Sequence, residues 1–89
     1  MKYTVLWSSG EEGDLAEIWM KTRNRKKVTS ATREIDLRLQ KDPEHVGESR
    51  SGDLRILLST PLGVNYIVEP DDRRVRVLGV WQFERRSAE

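Results

Sequence analysis

The sequence predicts one α+β domain of β-α-α-β-β-β order, a helical hairpin packed on a small, mainly antiparallel sheet. Three observations carry that reading: alternating apolar residues at the N-terminus, two successive segments with apolar residues at helical spacing, and three strand-like runs separated by short turn signals. The 89 residues are of one-domain size, and no internal repeat or low-complexity segment divides them, so residues 1–89 read as a single unit. Charged residues make up 35% of the chain, but the apolar ones are gathered into periodic segments, so it reads as folded rather than disordered.

Tyr3, Val5 and Trp7 alternate with Thr4, Leu6 and Ser8, the period of two expected of a strand with one face more buried than the other. Ser8 and Ser9 each precede a glutamate by three residues (Glu11, Glu12), so either pair can form a capping box at a helix start. Leu15, Ile18, Trp19 and Thr22 then recur at helical spacing, with Glu17 and Lys21 placed for an i,i+4 pair. Asn24 can cap a second helix that carries Val28, Ala31, Ile35 and Leu39 on one face. Asp42 ends it, because the residue before Pro43 is pushed out of the helical region.

Residues 43–53 are polar, with two glycines and two serines, and read as the longest loop. Leu54 to Leu58 and Val64 to Glu69 form the next two strands around a break at 59–63. Pro70, Asp71 and Asp72 connect to a last strand from Arg73 to Phe83. Val75, Val77, Gly79, Trp81 and Phe83 are assigned to one face of it, and Leu78 and Val80 to the other, which predicts a strand covered on both sides and central in the sheet. Trp7 and Trp19 are assigned to the core, and Tyr66, Trp81 and Phe83, which could offer stacking surfaces, also read as core. The charged tail, 84–89, is expected to be mobile.

With no cysteine, disulfides, thiolate zinc sites and cysteine nucleophiles are excluded. One histidine leaves no metal set, and Asp71 with Asp72 reads as a turn; neither metal nor cofactor is expected. The N-terminal apolar stretch is too short for a signal-peptide core, and no segment approaches the ~20 apolar residues of a membrane helix. The expected location is therefore the cytoplasm. Net charge is only +1, but it is unevenly spread: residues 21–41 carry eight bases against Glu34 and Asp36, a net of +6. Such a segment can attract nucleic acid or an acidic protein.

The order strand, helix, helix, loop and three-strand meander resembles the RelE/ParE toxin superfamily of plasmid stabilisation proteins, over roughly Tyr3 to Arg86. Carrying the resemblance are Tyr3, Val5 and Trp7 leading into Gly13 to Trp19; Ile35, Leu39, Asp42 and Pro43; Gly52 to Arg55; Pro61, Leu62, Val64, Tyr66 and Val68; and Val75, Val77, Leu78 and Val80. It implies a bacterial toxin of a type II toxin–antitoxin pair, neutralised by a cognate antitoxin and aimed at the ribosome and its mRNA or at DNA gyrase. An alternative it implies is a ribosome-dependent endoribonuclease; another is an inactive member serving as an interaction module.

Cleaving RNA through its 2′-hydroxyl needs a proton acceptor, a proton donor and positive charge on the phosphate. The resemblance puts Arg55 at the first basic position of the family's sheet, and Arg85 and Arg86 in its C-terminal basic cluster. Other positions depart from the pattern: Leu57 stands at the second basic position, Gly63 to Asn65 where an arginine is expected, and no tyrosine follows Tyr66. His45, in the long loop, is the one side chain with an ordinary pKa near neutrality, so Arg55, His45, Arg85 and Arg86 are the candidate catalytic residues. Arg50, Arg74, Arg76, Lys26 and Lys27 are candidate contacts to nucleic acid or to the antitoxin's acidic residues.

Overall fold

In the computed structural model, which describes residues 2–83, five strands form one sheet with two helices on one face. Strand β1 (Thr4–Trp7) follows the predicted alternation and leads into helix α1 (Ser9–Lys21). Ser8 is its N-cap, but its hydroxyl donates to the Glu11 carboxylate instead of accepting a backbone amide, so the two side chains pair with each other and the predicted capping box does not form. Helix α2 (Arg25–Lys41) starts where the Asn24 side chain accepts from the Lys27 amide at 3.2 Å, and it stops ahead of Pro43.

The predicted loop is shorter than expected because it contains an extra strand, β2 (Glu48–Ser51). All four of its residues are exposed and polar, so no apolar alternation announces it; backbone pairing with the next strand alone defines it. Gly52, in the left-handed region at φ 57°, turns the chain into β3 (Leu54–Ser59). The predicted break shrinks to Thr60–Pro61, after which come β4 (Leu62–Glu69), a single 3-10 turn at Pro70–Asp72, and β5 (Arg74–Gln82).

The sheet order is β1-β5-β4-β3-β2, antiparallel except for β1 with β5. As predicted, β5 is an interior strand. Val28, Ala31, Ile35 and Leu39 of α2 pack on Leu57, Leu62, Val64, Tyr66, Val75 and Val77, which together form the buried core. Ser59, at the core's edge, is satisfied by a 2.7 Å hydrogen bond to Glu34 of α2.

A bulge corrects the predicted faces of β5. Asn65 pairs with Gly79 but Tyr66 with Val77, so Leu78 is the extra residue and the alternation changes phase there. Val75 and Val77 lie on the helix side, and beyond the bulge it is Val80 that packs on the core. Trp81 moves to the open face, where its ring lies over Gly63 of β4. A Cβ on Gly63 would stand 2.5 Å from that ring. Leu78, expected to be covered, is 46% exposed.

Candidate functional site

Register decides where the predicted basic residues go. Arg55 pairs with Tyr66 across β3 and β4, and Tyr66 is fully buried on the helix-covered side, so Arg55 shares that side rather than the open face. There its guanidinium donates to the Gly47 carbonyl, while the Tyr66 hydroxyl donates to the Pro43 carbonyl at 2.8 Å. Burial raises the Tyr66 pKa above its ordinary value, and the Arg55 guanidinium opposes the shift. Arg55 Nε is buried without a partner among the described residues.

Arg55 and His45 line one cavity of about 330 Å³ at the end of α2, together with Glu44, Ser49 and Asp53. His45 is exposed, and its Nδ1 lies 2.7 Å from Asp42 Oδ1. Glu44 accepts from the Tyr3 hydroxyl at 3.1 Å. This pocket combines one titratable imidazole, one fixed guanidinium and two carboxylates, so proton transfer is within its chemistry, but its positive potential is diluted. Arg85 and Arg86 lie outside the described residues.

The remaining candidates do not join this pocket. Arg50 pairs with Glu48 on the edge strand. Arg74 and Arg76 both reach Glu69 (3.3 and 3.1 Å), and Arg74 also reaches Asp72, so the arginine pair on β5 is already neutralised within its own sheet. Lys26 and Lys27 stand in the first turn of α2, in the helical layer.

One broad concave surface was not singled out in the sequence. Between α1 and α2 runs a groove of about 730 Å³, lined chiefly by Leu15, Ala16, Trp19, Met20, Val28 and Thr32. Trp19, assigned to the core, is instead 41% exposed, and Met20 is 68% exposed. Leu15 and Ile18 face the core, whereas Ala16, Trp19 and Met20 extend the apolar arc of α1 beyond the sheet that it covers. That over-wide arc was the available signal. Trp19 is held in place: its Nε1 donates to Thr29 Oγ1 at 3.2 Å, and the Arg25 guanidinium lies 4.6 Å from its ring centre. Arg25 also donates to the Trp19 and Met20 carbonyls at the C-terminal end of α1.

One sheet carrying a helical hairpin on a single face, with a parallel first strand beside the last, defines a two-layer α+β fold. It is the RelE/ParE fold. Over 92% of this chain and 99% of the other, the structure matches a chain of the RelBE2 toxin–antitoxin complex from Mycobacterium tuberculosis, with a TM-score of 0.73 at 20% identity. A chain of the chromosomal ParDE system from P. aeruginosa matches over 92% and 97%, with a TM-score of 0.67 at 18% identity. The archaeal RelE–RelB complex from Pyrococcus horikoshii matches over 97% and 100%, with a TM-score of 0.57 at 19% identity. No protein-family model and no curated protein matches the sequence.

Proposed function

We propose that this chain is the toxin of a type II toxin–antitoxin pair and that its antitoxin covers the α1–α2 groove. The observation that carries this reading is the groove itself: Trp19 and Met20 stand exposed along an apolar groove between the two helices. The likeness of its fold to chains of the RelBE2, ParDE and RelE–RelB complexes supports it. Expression of the chain alone in a bacterial host should arrest growth, and co-expression of the protein encoded beside it should relieve the arrest. The change Trp19→Glu/Met20→Glu should keep the arrest and lose the relief. Unimpeded growth with the intact protein present would point instead to an inactive member.

The cellular target, in translation or in DNA topology, is a second question, and one observation favours a nuclease reading. Arg55 and His45, chosen separately in the sequence, line the same cavity. Purified protein added to translating ribosomes should then yield cut message, and Arg55→Ala/His45→Ala should abolish the cutting. Undiminished cutting by that variant would remove both residues from the chemistry.

A further inference from the structure

The face of the sheet that the helices leave open is apolar. Leu6, Ile56, Leu58, Ile67, Leu78 and Trp81 stand on it, and none of them is among the side chains packed on the core. Register gathers them into one patch: Arg76 pairs with both Leu6 and Ile67, Asn65 lies between Ile56 and Gly79, and Gly63 lies between Leu58 and Trp81. Leu58 is 52% exposed and Leu78 46%. An antiparallel sheet covered on one side ordinarily keeps apolar residues on that side and polar ones on the other. In β3 the order is reversed, since Arg55 is turned toward the helices while Ile56 and Leu58 face outward.

The charged residues that border this patch on β2, β4 and β5 are taken up in pairs. Arg76 and Arg74 meet Glu69 at 3.1 and 3.3 Å, Arg74 also meets Asp72 at 3.1 Å, and Arg50 meets Glu48 at 3.3 Å. Three bases stand against three acids, so this border is neutral. A nucleic acid or a strongly charged peptide finds no free counter-charge in it, whereas a second identical face meets it without repulsion. An apolar centre inside a polar rim is the anatomy of a protein interface. The patch crosses four strands and runs along β5 from Arg76 to Trp81, which with side-chain reach is roughly 20 Å each way, or ~400 Å² in plan. Together with its rim, that is a fitting centre for an interface burying about 800 Å² per partner.

We propose that the open sheet face is a dimer interface, covered by the same face of a second copy of this chain. Two sheets packed face to face interleave their side chains at a spacing of ~10 Å. A two-fold pair needs only one self-complementary surface, and a neutral, apolar face supplies it. The α1–α2 groove lies in the helical layer, on the other side of the sheet, so the dimer leaves it open on both protomers. Self-association through the sheet is independent of the toxin reading, since its test needs neither antitoxin nor toxicity.

The test is analytical ultracentrifugation of the purified full chain over a concentration series. The mass should rise from that of one chain to that of two and no further, and added salt should not dissociate the dimer, because its contacts are apolar. Leu58→Asp/Leu78→Asp alters two side chains that already meet water, so the fold should survive, as circular dichroism will show, while the dimer Kd rises roughly tenfold or more. Leu37→Asp, a change of the same kind at an exposed position of α2, should dimerise as the parent does. The proposal is overturned by a chain that stays monomeric at every concentration, by a dimer that Leu58→Asp/Leu78→Asp leaves intact, or by one that dissociates in salt. It is equally overturned if Trp19→Glu/Met20→Glu abolishes the dimer, which would place the contact in the groove, or if Leu37→Asp weakens it as much as the sheet variant does.

Discussion

Gly47 shows how tightly the Arg55 pocket is built. A Cβ at this position would meet the Tyr66 hydroxyl and stand 2.7 Å from the Ile56 carbonyl oxygen, a backbone atom that cannot swing aside. Gly47→Ala is therefore expected to destabilise the fold by about 1–3 kcal/mol, measured by urea denaturation. Tyr66→Phe removes the donor to the Pro43 carbonyl and should cost about 1–2 kcal/mol near neutral pH. The same residue sets an alkaline limit. Its pKa is raised from 10.0 by burial, so the folded state holds the proton more firmly than the unfolded state. The resulting stability is whole below pH 10 and is lost as pH rises through the folded-state value. The gap between parent and Tyr66→Phe should then narrow in denaturation curves taken above pH 10; a constant gap would contradict the shift. Little of this was legible in the sequence. Arg55 was singled out in the sequence as a candidate, but its side of the sheet depends on a register that only the Arg55–Tyr66 pairing reveals.

Elements with strong local signals were legible, and those defined by pairing were not. Helix α2 combines a polar cap at Asn24, an apolar stripe from Val28 to Leu39 and a stop before Pro43, and it forms between the expected ends. Strand β2 has no apolar face, and the bulge at Leu78 leaves no mark in the alternation that precedes it, so the first was read as loop and Trp81 was placed on the wrong side. The first turn of α2 invites a prediction at this scale. Lys26→Glu/Lys27→Glu replaces two charges that oppose the helix dipole by two that favour it, and it should raise the Tm at low ionic strength, an effect that fades with added salt. An unchanged or lower Tm would show that the lysines have a structural use.

At the scale of the whole molecule, apolar residues divide into those that make the fold and those that it leaves uncovered. Ile35 is wholly buried between α2 and the sheet, whereas Trp19 and Met20 line a groove that no other element of the described residues closes. Ile35→Ala should cost about 2–5 kcal/mol, a large share of the ~5–15 kcal/mol that holds a domain together. Trp19→Ala/Met20→Ala should shift the Tm far less, because its side chains already meet water. If the groove residues proved as costly as Ile35, the groove would be part of the core and the docking surface would be lost. A protein that fills the groove should stabilise the chain in proportion to its concentration over its Kd. It should also draw Trp19 out of water. With Trp7 and Trp81 replaced by phenylalanine, the emission of Trp19 alone is therefore expected to shift to shorter wavelength on adding the partner. Stabilisation without that shift would place the partner elsewhere, such as on the open sheet face around Leu6, Leu58 and Leu78.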